Sequence, residues 1–260
     1  MLVAIDVGNS DVKLALVRHG RVITVRRVPT RSREAAYDVE GLLIAALGET
    51  SAKSVEAIAL VSVVPPWTEA IAEFATHMRR PLLMADSRTI PLLVRLPDPD
   101  AVGPDRLLDA FAALRLHGAP VIVVDLGTAT TIDAVDADGA FVGGAIAPGL
   151  GLGLSALGSG TARLPSVAPT PPERAIGRDT LEAIRSGAVF GHVGVVRELT
   201  SRIAAELVPD GTSRPSVVVT GGLSAAPWAG LLQGVDVLDP ELTLKGLALL
   251  HAEVGAGVAS

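Results

Sequence analysis

Leu2-Val3-Ala4-Ile5-Asp6-Val7-Gly8-Asn9-Ser10 and Val121-Ile122-Val123-Val124-Asp125-Leu126-Gly127-Thr128-Ala129-Thr130-Thr131 share one layout: an apolar run, an aspartate, and a glycine two residues later. Both runs are rich in β-branched residues and read as buried strands, so each strand delivers its aspartate to a tight turn. Glycine there lets backbone amides come close to an anion. The neighbouring hydroxyls can donate hydrogen bonds to phosphate oxygens, and the aspartate can hold a hydrated cation. One such turn occurs in many ordinary hairpins. Two in one chain point to a pair of nucleotide-gripping half-domains.

The order of elements after each turn repeats as well. After Asp6, the segments Val12 to Val17 and Arg21 to Arg27 read as a hairpin around His19-Gly20, and a helix is predicted from Arg33 to Leu47. After Asp125, Thr130 to Val135 and Phe141 to Ile146 read as strands joined at Asp138-Gly139, with a Gly-rich helical stretch from about Leu150. The two aspartates lie 119 residues apart. An internal duplication is the economical reading, with halves over 1–117 and 118–260 and a ligand in the cleft between them. Other predicted elements are a strand at Ile58 to Val63, ending at Pro65-Pro66, and a helix at Trp67 to Met78. Further on come helices from Leu107 to Leu116, within Ile184 to Leu207 and from Leu242 to Val254, and a strand at Ser216 to Thr220. Pro165 to Pro172 reads as an ordered surface excursion, too short for a linker.

The composition bounds the function. With 260 residues, 49% apolar and 19% charged, the chain can bury a substantial core. A net charge of -6 with dispersed basic residues, and only 3% aromatic residues, argue against a nucleic-acid partner. The absence of cysteine excludes disulfides, thiolate metal sites and cysteine nucleophiles, and fits the cytoplasm. No secretory signal is expected, because Asp6 interrupts the first apolar run. The uncharged stretches Gly139 to Gly160 and Val217 to Val235 are broken by Gly and Pro, unlike a membrane helix, and read as buried segments lining a site. His19, His77, His117, His192 and His251 lie far apart without paired ligand spacing, so each reads as structural or exposed. Ser62, Ser155 and Ser159 have no partnered His-Asp pattern, which excludes a hydrolytic triad.

Four further places could carry chemistry. Gly103-Pro104-Asp105-Arg106 brings a carboxylate and a guanidinium together at a predicted helix start. Asp105 suits the helix dipole there; it could equally be a base for a substrate hydroxyl, with Arg106 as an anion clamp. Lys13 leaves the first loop on a strand, either solvated or reaching a phosphate. Gly143 to Gly149 makes either a tight crossover or a pocket lined by backbone amides. Thr220-Gly221-Gly222 follows a buried strand and permits close approach of a flat ligand such as adenine, or simply turns the chain.

Taken in order, these residues resemble the type III pantothenate kinases, members of the sugar kinase, heat-shock ATPase and actin superfamily. The similarity extends through Ser62-Val63-Val64-Pro65, Thr161-Ala162-Arg163-Leu164-Pro165, Ile176-Gly177-Arg178-Asp179-Thr180 and Asp239 to Leu247. It implies an α/β fold of two duplicated ribonuclease H-like, actin-like ATPase domains. It also implies ATP-dependent phosphorylation of the primary hydroxyl of pantothenate, the first step toward coenzyme A. By that likeness Asp105 is the general base, and Gly103, Pro104, Asp105 and Arg106 contact pantothenate. Asp6, Val7, Gly8, Asn9, Ser10, Asp11, Val12, Lys13 and Thr128 would hold ATP phosphates, with Gly221 and Gly222 also at the nucleotide. Asp6 would act through magnesium and its water shell, and Asp125 would bind potassium or ammonium. Thr180 would contact pantothenate from the partner subunit of a homodimer. Such roles suit phosphoryl transfer, which needs positioned charge and an in-line hydroxyl.

Four positions depart from the family's pattern. Leu96 stands where a tyrosine usually lines the pantothenate pocket, and Phe190 where tyrosine is frequent. Ser10 replaces threonine and keeps its hydroxyl, while Pro104 replaces alanine and suits a first helical position. Leu96 and Phe190 leave open a kinase of a different small alcohol, and a non-catalytic regulatory relative is the other alternative. Asp6, Lys13, Asp105, Asp125 and Thr128 argue against the latter.

Overall fold

The computed structural model describes residues 1–30, 38–49, 54–161, 163–209 and 213–258. Its strands are β1 (Leu2–Val7), β2 (Asp11–Arg18), β3 (Arg21–Pro29), β4 (Ala57–Ser62), β5 (Leu82–Met84), β6 (Leu93–Val94), β7 (Val121–Leu126), β8 (Ala129–Val135), β9 (Ala140–Pro148), β10 (Ser216–Thr220) and β11 (Val237–Leu238). Its helices are α1 (Val39–Leu47), α2 (Pro65–His77), α3 (Pro104–His117), α4 (Leu150–Gly160), α5 (Thr180–Leu207) and α6 (Leu242–Val258). No helix among the described residues is long and apolar enough to cross a membrane.

The chain forms two compact units, one of 1–92, 97–112 and 241–260, the other of 93–96 and 113–240. Among the described residues the first has a five-stranded sheet in the order β3-β2-β1-β4-β5, and the second a six-stranded sheet in the order β11-β10-β7-β8-β9-β6. Apart from the extra edge strand β6, the orders match: β1-β2-β3 corresponds to β7-β8-β9, and β4-β5 to β10-β11. In each, an antiparallel meander continues into parallel strands from its first member. The duplication read from the loops is therefore written in the topology. A single cut at 117/118 differs from the units at 93–96, 113–117 and 241–260. The apolar closing helix α6 packs on β1, β2, β3 and β4, and β6 pairs with β9.

In the first unit β1 is buried along its whole length, because β2 and β4 flank it and helices cover both faces. Val3, Ile5 and Val7 face one way and join Leu43 of α1 and Trp67 and Ile71 of α2 in one core. Ala4 pairs with Ala15 on one side and Ala59 on the other, a row of small side chains on the opposite face. Such a row lets a helix approach closely, and α6 packs on these strands. In the second unit Ile122, Val124 and Leu126 of β7, Ile132 of β8 and Val217 and Val219 of β10 pack with Leu150 and Leu154 of α4 and Val189 and Val196 of α5.

Several boundaries differ from those expected of the sequence. Pro65 and Pro66 do not end a strand but open α2, where a missing N–H costs nothing because the first-turn donors have no partner within the helix. Helix α3 likewise begins at Pro104, three residues before Leu107. The Gly-rich end of the Gly139 to Gly160 stretch is the helix α4, with Leu152 and Leu157 exposed rather than buried. The predicted helix from Arg33 lies partly outside the described residues, and its described part is α1.

Candidate active site

The first unit builds its site on the turn between β1 and β2. Gly8 N–H donates to the carbonyl of Asp11 at 3.0 Å, which closes the Gly8-Asn9-Ser10 turn. Thr30, at the end of β3, braces it: its hydroxyl donates to the Gly8 carbonyl at 2.8 Å and its N–H to the Ser10 carbonyl at 2.9 Å. Nothing in the local sequence marks Thr30, since it reaches the loop only through the β2-β3 pairing. Asp6 and Lys13 face each other across β1 and β2, and Lys13 Nζ lies 3.0 Å from Asp6 Oδ2. The Lys13 side chain is only 13% exposed, so it is no solvated strand lysine. A sheltered ammonium beside a carboxylate can exchange that partner for an incoming phosphate oxygen, with the carboxylate then free to pair with a hydrated cation. Val7 and Val12 are core residues, while Asn9 and Ser10 are exposed at the tip and Asp11 is half-buried.

Asp105 belongs to the same unit, in the first turn of α3. A side-chain carbon at Gly103 would fall 2.5 Å from Asp105 Oδ1, so glycine is what lets the carboxylate lie back over the chain. That oxygen accepts from the Arg106 N–H at 2.9 Å. Burial pushes the Asp105 carboxyl above the ordinary carboxylate range, and the Asp6 charge pushes the same way, against the hydrogen bond from Arg106. A carboxylate raised by these means is a better proton acceptor than an exposed aspartate. Helix α3 is seated by Gly246 of α6, where a side-chain carbon would come within 3.1 Å of Leu108 Cγ and Ala112 Cβ. Pro104 and Arg106 are half-buried on either side of Asp105.

The second unit assembles Asp125, Thr128 and Gly221. Gly127 N–H donates to the Ala129 carbonyl at 3.0 Å, which makes a tighter turn than the first. Thr128 is exposed at its tip. Gly149 N–H donates to the Thr128 carbonyl at 3.1 Å, and a side-chain carbon at Gly149 would collide with that oxygen at 2.4 Å. Helix α4 therefore starts against the loop, and its N-terminus has no side-chain cap. Uncapped N–H groups and the positive helix end suit a phosphate. Within the stretch Gly143 to Gly149, Gly143 and Gly144 are strand residues, and Gly149 opens the helix to the loop. Gly221 has φ +96°, and a side-chain carbon there would lie 2.1 Å from Asp125 Oδ1. The Leu223 N–H donates to the Leu126 carbonyl at 3.0 Å, so the Gly221-Gly222 turn is tied to the end of β7.

Two acceptor-side candidates have places of their own. Leu96 is half-buried after β6 and neighbours Gly143, while Arg95 pairs with Asp136 and Asp138 of the β8-β9 turn. Thr180 is exposed at the start of α5, where the Asp179 side chain accepts from the Glu182 N–H at 2.8 Å. Gly177 backs directly onto Ala183 in that first turn. Ile176 and Leu181, close to Thr180 in the chain, are exposed, as is Phe190 further along α5.

Among the described residues no cluster of three or more His, Asp or Glu could cage a metal. Asp6 and Asp125 as single carboxylates fit the other arrangement, a cation completed by phosphate oxygens and water.

The family profile for Type III pantothenate kinase matches residues 2–202. A type III pantothenate kinase of Rubrobacter xylanophilus is 40% identical over 258 residues, covering 97% of each chain. Among solved structures, a Baf family protein from Campylobacter jejuni superposes with a TM-score of 0.58 at 15% identity, over 98% of this chain and 99% of that one. MreB5 of Spiroplasma citri, bound to ADP, does so with a TM-score of 0.51 at 12% identity, over 100% of this chain and 98% of that one. These structural likenesses place the fold among the actin-like ATPases.

Proposed function

We propose, from the premise that this chain belongs to the type III pantothenate kinase family of phosphotransferases, that it phosphorylates pantothenate with Asp105 as the general base. ATP is the donor. Asp105 accepts the proton of the primary hydroxyl as its oxygen bonds to the γ-phosphorus, the bond from that phosphorus to the ADP oxygen breaks, and Arg106 clamps the acceptor's carboxylate. Lys13, the Gly8 to Ser10 turn and Thr128 hold the phosphates, and Gly221-Gly222 admits the nucleotide. Asp6 would hold magnesium through its water shell and Asp125 would hold potassium or ammonium, ions that would supply positive charge against the phosphates. The cytoplasm, where ATP is abundant, is the expected place of action. The observation that carries the reading is Asp105 lying over Gly103, raised by burial and by Asp6.

The direct test is ATP consumption with pantothenate at matched ionic strength in potassium and in sodium. Activity is expected in potassium or ammonium and not in sodium, with Asp125→Ala abolishing the difference. Equal rates in the two salts would remove the cation role from Asp125.

Leu96, beside Gly143, favours a second reading, a kinase of another small alcohol. If pantothenate is the acceptor, Leu96→Tyr should tighten its apparent binding or leave it unchanged, by no more than about tenfold, the worth of one hydrogen bond. Phosphorylation of pantothenate by neither protein would select the alternative.

Exposed Ile176 and Leu181, on either side of Thr180 in the chain, support a homodimer in which Thr180 serves the acceptor site of the second copy. Leu181→Glu should yield monomers in light scattering and raise the pantothenate KM by about tenfold or more, since one subunit would lose the other's contact. A monomeric wild type would end this assignment.

A further inference from the structure

We propose that His192 is a positioning residue for the nucleotide, holding the exit of the second loop through Thr130 and packing on the segment after Gly221-Gly222 through Trp228. The inference rests on the reading that this unit binds ATP. Thr130, His192 and Trp228 are 1%, 7% and 0% exposed, and they come from a strand, a helix and a 3-10 turn far apart in sequence. Thr130 Oγ1 lies 3.2 Å from His192 Nε2. The His192 and Trp228 rings meet edge to face, with centroids 5.4 Å apart at 79°.

Each contact leads to a nucleotide-side element. Thr130 is paired with Leu126 across the Gly127-Thr128 turn, and with Ala147 of β9 on its other side, two residues before Gly149. Trp228 lies in the short 3-10 helix Pro227–Leu231. That helix continues from Gly221 through the Ser224, Ala226 and Ala229 turn hydrogen bonds. Ser224, 2% exposed, donates its hydroxyl to the Gly221 carbonyl at 2.7 Å. The imidazole is thus a buried side chain touching both the loop exit and the segment beyond the Gly221 turn. Burial lowers the tendency of His192 to protonate, so the ring stays neutral, with one nitrogen donating and the other accepting. A neutral ring can keep the Thr130 hydroxyl partnered without placing a charge behind the phosphates.

The experiment is ATP titration by calorimetry on the full chain, with the pantothenate KM measured in parallel. His192→Phe keeps the edge-to-face packing and loses the hydrogen bond; Thr130→Val loses it from the other side. Each should weaken ATP binding by roughly tenfold, the scale of one buried hydrogen bond. The double variant should bind no more weakly than either single one, because both remove the same interaction. His192→Gln, which can still reach Thr130, should stay within about threefold of wild type. The pantothenate KM should change little in all four. ATP affinity at the wild-type level in His192→Phe, whatever its melting temperature, would overturn the proposal and leave His192 a packing residue. A loss in His192→Phe that Thr130→Val does not share would overturn it too. If His192→Phe fails to fold, Thr130→Val decides alone, in the same direction. A wild type that binds ATP without phosphorylating pantothenate removes the substrate reading and leaves this proposal standing; a wild type that does not bind ATP removes the reading on which it rests.

Discussion

Asp105→Asn should lower kcat by about a hundredfold or more, as for loss of a positioned general base, with ATP affinity nearly unchanged. It should not destabilise the protein. Burial, reinforced by the Asp6 carboxylate, raises the Asp105 carboxyl above its ordinary value. A raised carboxyl binds its proton more tightly folded than unfolded, so its effect on stability worsens as pH rises from the unfolded value through the folded one. At neutral pH the ionised side chain therefore works against folding, and the neutral amide relieves that. Its melting temperature at pH 7 should equal or exceed that of wild type, and the advantage should vanish in acid. For wild type the acidic limb of kcat/KM should fall at a pH above the ordinary aspartate range, since activity is lost as Asp105 protonates. Steady-state kinetics and thermal melts across pH decide this. Near-normal turnover would return Asp105 to complementing the dipole of α3.

Gly221→Ala should be the most damaging single-methyl change. The backbone is at φ +96°, and the new carbon would sit 2.1 Å from Asp125 Oδ1 and 2.6 Å from the Leu126 nitrogen. The strained conformation alone costs of order 1–3 kcal/mol. The collision falls partly on the backbone of a central strand, which cannot swing aside, so a total loss of about 3 kcal/mol or more is expected. Displacing Asp125 and the turn together should also weaken ATP binding by more than about tenfold, through lost placement of the phosphate ligands. Chemical denaturation and nucleotide titration read the two effects. Wild-type stability in this variant would show that Gly221 is not packed against Asp125. Gly230, where an added side-chain carbon would meet no other part of the protein within 4 Å, is the matched control and should tolerate alanine.

The strand-aspartate-glycine turns were legible because their signals are local. Two apolar runs, each ending in Asp-x-Gly, required only a period and a punctuation mark, and the hairpins around His19-Gly20 and Asp138-Gly139 likewise declared themselves. Gly103-Pro104-Asp105-Arg106 was visible as a helix start, though Pro104 carried the start earlier than the apolar pattern suggested. The short strands β5, β6 and β11 left no such mark. Two or three residues contain no periodicity, and these strands exist because a neighbouring edge supplies their hydrogen bonds.

By itself the sequence determined the repeated strand-turn-strand units and the residue types that could meet phosphate, since these follow from backbone preferences and side-chain chemistry within a few neighbours. Only the tertiary structure decided what those residues experience. The β1-β2 register gave Lys13 its carboxylate partner, and the fold of the first unit brought Asp6 close enough to raise Asp105. Pairing of β2 with β3 carried Thr30 to the first loop, and α6 returned to the first sheet although it closes the chain. His192 carries no signal in its own stretch of sequence because the groups that define it, Thr130 and Trp228, are 62 and 36 residues away. Burial, register and close approach are properties of surfaces brought together by folding, and no window of sequence contains them.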